Sequence, residues 1–229
     1  MFISFQLVAA EPLRIATLLT APVGFLTDDG QPTGLYYEIG NLIAETAGLD
    51  YTNEVVPFAR VLAGLEDGDV DLGLVILRDQ NPKLVPVHYI HDLKNVVFSR
   101  KGTRFESLAD LHGKVVAQTR GTSYDKNFDL DQEIEKYYVV DGEQGLTMLM
   151  HDRVDAYIGP ELPTMYSAQR LGYTRDDFDD LLVLNTSPLW AHVSAATVDA
   201  ATIAALNKAI ETLHAEGKIQ QLIDKYLGK

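Results

Sequence analysis

Arg120-Gly121-Thr122-Ser123 is the segment of this chain best equipped to hold a small anion. It follows an apolar run, Lys114 to Gln118, that reads as a strand, and it opens a stretch from Ser123 that reads as a helix. A helix starting there leaves the N–H groups of its first turn unpaired, at the positive end of its dipole. Gly121 lets a ligand approach the backbone, and Thr122 and Ser123 add hydroxyl donors. Either hydroxyl also serves as an N-cap, worth about 1 kcal/mol, and the two roles are compatible. Arg60 follows Phe58 by two residues, so it faces away from the apolar stripe that Phe58 opens, toward solvent or a cleft. Other chemistries are missing from the pattern. The six histidines, His88, His91, His112, His151, His192 and His214, show neither HxxxH nor HxH spacing, and there is no cysteine, so no metal site is expected. Gly-x-Ser-x-Gly, Walker and dinucleotide fingerprints are absent, which implies no cofactor and no nucleophile elbow.

The elements that must position these residues alternate. Leu13 to Leu18 reads as a strand, Tyr36 to Ala47 as a helix stopped by Gly48, Tyr51 to Val56 as a strand, and Phe58 to Leu65 as a helix stopped by Gly68 before a strand at Asp71 to Leu77. The rhythm returns in Tyr137 to Val140, Gln144 to Met150, Asp155 to Ile158 and Glu161 to Leu171. Strands and helices at these intervals make right-handed βαβ units and a parallel sheet. Leu62, Leu65, Val70 and Asp71 recur as Leu146, Leu149, Val154 and Asp155 at a constant offset of 84 residues, which favours two lobes of similar design.

Composition bounds the rest. The chain has 229 residues, 46% of them hydrophobic, and a formal charge of −14, which is ordinary globular composition for one large or two smaller domains. No run of Lys and Arg exceeds two, so nucleic acid is not an expected partner. Met1 to Ala10 is apolar, uncharged and ends in Val8-Ala9-Ala10, like the remnant of a secretory signal; a first strand or a tail is the alternative.

In order and spacing, several segments together carry a resemblance: Leu13-Arg14-Ile15-Ala16, the run Asp29 to Leu35 before Glu38, Pro57-Phe58 with LEDGDVDL at Leu65 to Leu72, SLADLHGKVVAQTRGT at Ser107 to Thr122, Arg153-Val154-Asp155-Ala156, and the closing Leu206 to Leu227. The chain resembles the periplasmic solute-binding proteins of ABC transporters, in the polar amino-acid-binding group, solute-binding family 3. The resemblance implies an α/β, two-lobed periplasmic-binding-protein fold of type II, a Venus flytrap with two hinge strands, closing on a small solute in the inter-lobe cleft and delivering it to a membrane permease. Lobe one is expected at residues 11–97 and 192–229, lobe two at 98–191, with hinges at Asn95 to Arg100 and Leu189 to Ala195. An exported, soluble monomer without catalytic activity is expected. The alternatives are a dehydratase of the cyclohexadienyl type on the same architecture, with Glu161 as its acid, and a sensory receptor without a permease.

Site roles follow from the same resemblance. Gly121-Thr122 matches the segment that binds the ligand carboxylate. Lys83 lies twelve residues after Asp71, where the family places an arginine on the α-carboxylate, but a lysine cannot make the bidentate fork. Arg78 stands where a small hydroxyl residue is usual, and either supplies the guanidinium or is a surface residue near Asp79. Pro160 replaces the aspartate that pairs with the α-ammonium, leaving adjacent Glu161 as a substitute or as a carboxylate stabilising its helix start. Phe25, Phe58 and Trp190 match aromatic walls. With Arg78, Lys83 and Arg120 converging and Pro160 in place of the acid, the cleft is expected to favour a carboxylate over an ammonium.

Overall fold

The structure, a computed structural model, describes residues 11–77 and 80–228; residues 1–10, where the signal remnant is expected, lie outside them. The chain divides into two compact units. Unit one comprises the described residues up to His88 together with Trp190–Lys218, and unit two comprises Tyr89–Leu189 and the residues from Ile219 onward.

Unit one opens with β1 (Leu13–Leu18) and a short ribbon of β2 (Phe25–Leu26) with β3 (Pro32–Thr33), followed by α1 (Leu35–Ala47), β4 (Tyr51–Val56), α2 (Phe58–Asp67) and β5 (Leu72–Val75). A long strand, β6 (Leu84–Phe98), then enters unit two, which holds β7 (Val115–Thr119), α3 (Lys126–Leu130), β8 (Glu135–Val139), α4 (Gly142–Met150), β9 (Ala156–Pro160) and α5 (Glu161–Arg170). The second long strand, β10 (Leu182–Ser194), returns to unit one for α6 (Ala200–Ala215), and α7 (Lys218–Leu227) closes the chain.

Both units have one plan. In unit one, β1 pairs in parallel with β4 and β5, and β10 runs antiparallel along β5, with Trp190 opposite Val75 and His192 opposite Gly73. In unit two, β7 pairs in parallel with β8 and β9, and β6 runs antiparallel along β9, with Asn95 opposite Pro160. In sheet order the two long strands, β10 and β6, are neighbours. The 84-residue echo has a physical basis in this plan. Leu65 and Leu149 are the fully buried faces of α2 and α4. Asp71 and Asp155 each lock the third strand to the first by a two-way exchange. Asp71 N–H donates to the Arg14 carbonyl at 2.7 Å and its carboxylate accepts the Arg14 N–H at 2.9 Å. Asp155 N–H donates to the Val115 carbonyl at 2.9 Å and its carboxylate accepts the Val115 N–H at 2.8 Å.

Two expected boundaries shift. β6 is longer than the expected hinge, and residues from Tyr89 belong with unit two because Asn95 to Phe98 pair along β9. The final helix was expected in lobe one. Gly217, in a left-handed conformation (φ 69°), redirects the chain after α6, and α7 buries Ile219, Ile223, Tyr226 and Leu227 in unit two. There the Gln169 amide donates to the Tyr226 carbonyl at 3.5 Å.

Candidate functional site

In open α/β sheets, ligands bind beyond the carboxyl ends of the parallel strands, where loops and helix starts meet. The candidate residues of unit one that gather there are aromatic and aliphatic. Phe58 starts α2 directly after β4, Ile76 follows β5, and Trp190 pairs with the last residue of β5. They are 44%, 37% and 37% exposed, a large apolar surface for residues that a core would otherwise claim. Phe58, Leu62, Ile76 and Leu77 line a cavity of about 380 Å³ with Gln80 to Pro82. Phe25 lies on the β2–β3 ribbon opposite Thr33 and is half-buried.

The cationic candidates of unit one are not brought to this surface. Arg60 lines a separate groove between α2 and β4, about 440 Å³, in the company of Glu54, Asp67 and Asp69. Lys83 sits at the opposite end of the unit. Its ammonium is 3.9 Å from Asp67 at the end of α2, and its carbonyl accepts the Ala195 N–H at 2.9 Å. Asn81 donates to Glu66 of α2 at 2.7 Å, which ties the segment just before Lys83 to the far end of that helix. Lys83 is therefore a surface ion-pair residue rather than the carboxylate grip that the resemblance implied. Arg78 lies outside the described residues.

In unit two the turn after β7 differs from expectation at its helix. α3 begins at Lys126, and Asp125 is its N-cap, accepting from the Asn127 and Phe128 N–H groups at 2.9 and 3.0 Å. An aspartate is among the strongest N-caps, so it sets the start past Thr122 and Ser123. Two of the first-turn N–H groups are thereby used, and α3 has only five residues, so the helix-terminal anion site expected at Thr122 and Ser123 does not form there. Both hydroxyls are committed as donors: Thr122 Oγ1 to the Thr119 carbonyl at 2.6 Å and Ser123 Oγ to the Asp129 carboxylate. What the turn presents is the exposed Arg120 side chain beside Gly121, whose left-handed φ of 76° explains the glycine. Among the described residues, none beyond its two chain neighbours has a heavy atom within 4 Å of where a Cβ on Gly121 would stand.

Glu161 opens α5 directly after β9. Its side chain is 14% exposed, and the Lys94 ammonium from β6 lies 3.9 Å away. Both line a cavity of about 230 Å³ within unit two, with Tyr89, His91, Pro163 and Ile223 among its walls. Lys94 was not singled out in the sequence because only the pairing of β6 with β9 brings it to the start of α5.

Other polar groups around these ends were also invisible in the sequence. The Tyr157 ring is seated against Gly142, Gly145 and Gly159, and its hydroxyl is 3.2 Å from Thr119 Oγ1. Burial pushes the Tyr157 hydroxyl up to about 12, so it stays protonated and available for hydrogen bonding. Gln118 and His192 are buried, with Gln118 Oε1 and His192 Nδ1 unpartnered among the described residues. Among the described residues no group of three or more His, Cys, Asp or Glu side chains could hold a metal ion, and no helix is long and apolar enough to cross a membrane.

The model of the bacterial extracellular solute-binding proteins, family 3, matches residues 13–229. The chain belongs to this family. It is 23% identical over 227 residues to the probable amino-acid-binding protein YxeM of Bacillus subtilis (strain 168), covering 88% of this chain and 78% of that one. It is 22% identical over 214 residues to the amino-acid-binding protein AabA of Dichelobacter nodosus, covering 90% and 83%. Among solved structures it is similar to the L-cystine solute receptor of Neisseria gonorrhoeae, with a TM-score of 0.77 at 19% identity over 95% of this chain and 93% of that one. Substrate binding domain 2 of Lactococcus lactis GlnP gives a TM-score of 0.77 at 18% identity, covering 95% of each chain. The fold is accordingly that of the type II periplasmic binding proteins, and the family's activity is extracellular solute binding.

Proposed function

We propose that this protein is an exported, monomeric receptor for an amino acid or a closely related organic acid, and that it hands its solute to an ABC transporter permease. One observation carries the reading. Phe58 in unit one and Arg120 to Ser123 with Glu161 in unit two stand just beyond the carboxyl ends of parallel strands, and Trp190 lies on the antiparallel strand β10 opposite the last residue of β5, in units of the same plan. The apolar surface supplies area for a side chain, and Arg120 supplies a full charge for a carboxylate. The names of YxeM and AabA support amino acids as the solute class. Glu161 already faces Lys94, so its charge is not reserved for an α-ammonium, and deaminated acids should be accepted as well.

The test is calorimetry with L-cystine, L-arginine and L-glutamine, together with the deaminated acids of the last two. Saturable binding of at least one pair, with the deaminated acid within about tenfold of its amino acid (about 1.4 kcal/mol), supports the reading. If an amino acid binds far better than its deaminated twin and Glu161→Gln erases the difference, Glu161 is an ammonium ligand and the anion preference is wrong. Turnover of prephenate or arogenate would replace the receptor reading with the dehydratase. Binding of the solute should also raise the melting temperature.

A further inference from the structure

The two long strands converge on one carbonyl, that of Tyr124. Asn95 Nδ2, from β6, donates to it at 3.1 Å, and Asn185 Nδ2, from β10, donates to it at 2.7 Å. The two amides are joined to each other, Asn95 Nδ2 to Asn185 Oδ1 at 3.0 Å. Asn185 Nδ2 also reaches Asp125 Oδ2 at 3.1 Å, on the same carboxylate that caps α3. All four groups are partly buried in unit two, and the donors and acceptors match with no oxygen facing an oxygen. The segment they hold has local bonds of its own, from Thr122 to the Thr119 carbonyl, from Ser123 to Asp129 and from the Arg120 N–H to the Val139 carbonyl, and Tyr124 packs on the core of unit two; the asparagines add its tie to the two long strands. Between the end of β7 at Thr119 and the cap at Asp125, the turn contains a left-handed glycine and an exposed arginine, and α3 is too short to be stable by itself.

We infer that Asn95 and Asn185 are positioning residues for solute binding, a paired clamp that sets the Arg120–Ser123 turn from the two strands common to both units. The inference rests on the reading of that turn as a solute contact. Each asparagine does a different part. Asn185 supplies the shorter bond to Tyr124 and the only one of the four to Asp125, so it carries the larger share. Asn95 holds Asn185 in its rotamer and adds the second donor to the carbonyl. Because the amides are coupled, their loss should be strongly non-additive.

The experiment compares wild type, Asn95→Asp, Asn185→Asp and the double variant. Aspartate keeps the shape of asparagine but turns the donor into an acceptor facing the Tyr124 carbonyl. Hydrogen exchange, measured without solute, should quicken about tenfold or more at residues 121–128 in Asn185→Asp, while the amides of β7 and β9 keep their wild-type rates. Calorimetry with L-cystine, L-arginine and L-glutamine should show a loss of about tenfold or more in affinity for whichever of them the wild type binds. The double variant should fall within about threefold of Asn185→Asp. Asn185→Leu, which leaves neither donor nor charge, separates the lost bonds from repulsion and should give the same localised exchange. Unchanged exchange at residues 121–128 would overturn the clamp. Faster exchange with unchanged affinity would overturn its role in binding. A wild type that binds none of the three amino acids would overturn the amino-acid reading itself, and the exchange arm still decides the clamp.

Discussion

Asp71→Asn should destabilise unit one without touching solute affinity. The Asp71 carboxylate, with only 11% of its side chain exposed, accepts four hydrogen bonds: from the Arg14 N–H at 2.9 Å, Arg14 Nε at 2.9 Å, Arg14 Nη2 at 2.7 Å and Thr197 Oγ1 at 2.6 Å. The Arg14 side chain is 41% exposed, so solvent screens its ion pair and the contribution is discounted to about 0–1 kcal/mol. The backbone N–H and the threonine hydroxyl are the better-protected donors, worth about 1.5 kcal/mol each to an ionised acceptor. Asparagine keeps one acceptor oxygen and turns an unwelcome N–H₂ on the donors of the other, so the total loss is about 2–3 kcal/mol. For a chain of this size that is roughly a 5–10 °C fall in the transition of unit one, measurable by calorimetry and urea titration. The sign with pH follows from the same contacts. Burial pushes the Asp71 carboxyl up, but its bonds from Arg14 and Thr197 outweigh that and leave it below its ordinary value. Its stabilisation is therefore present above the unfolded value of about 3.9 and is lost as pH falls through the lower folded value. The variant should show a flatter acid limb than wild type. A loss under about 0.5 kcal/mol would refute this accounting of the carboxylate, which rests on the magnitudes typical of such bonds. A matching loss of solute affinity would refute the separation of this lock from the site.

Three further outcomes are expected. Gly145→Ala would place a Cβ 2.3 Å from Tyr157 Cδ2, so overpacking of about 1–3 kcal/mol should outweigh the roughly 1 kcal/mol of helix propensity gained, and the melting temperature should fall; a rise would show that Tyr157 can move aside. Burial lowers the pKa of His192 against a hydrogen bond to the Trp190 backbone, so its contribution to stability is present above about 6.5, the unfolded value, and is lost on acidification; denaturant titrations at pH 7 and pH 5 should show a smaller drop in His192→Leu than in wild type. Arg120→Ala should weaken binding of a carboxylate solute by one to two orders of magnitude, as expected for a bond worth about 1.5–3 kcal/mol, whereas Lys83→Ala, remote from the site, should leave calorimetric affinity unchanged.

How much of this was legible depended on whether a feature was local. The helices and parallel strands were readable because apolar spacing is a property of one segment, and the Leu, Val and Asp echo was readable because each unit needs the same passage from helix to strand. Asp71 and Asp155 carried that signal for a reason the sequence does not contain, their exchange of bonds with the first strand of each unit. The start of α3 was misplaced because Thr122, Ser123 and Asp125 are all good caps and only one is used. Spacing from Asp71 does not locate the Lys83 ammonium, because a residue count carries no direction, and here the ammonium stands beside Asp67. The final helix followed from α6 in sequence but not in packing, since Gly217 frees the direction of what comes next. Lys94 beside Glu161, and Asn95 with Asn185 on the Tyr124 carbonyl, were out of reach because they depend on strand register between distant segments, with separations from 29 to 90 residues in the asparagine network.

The most direct test of the central claim, that this chain is a receptor for a small carboxylate-bearing solute, is native mass spectrometry of the freshly purified protein followed by titration with the amino acids and their deaminated counterparts. The account predicts a polypeptide carrying one small solute at unit stoichiometry, removed by unfolding and refolding, and replaced when a member of the panel is added back. A polypeptide that is isolated bare and remains bare through the whole panel would contradict it.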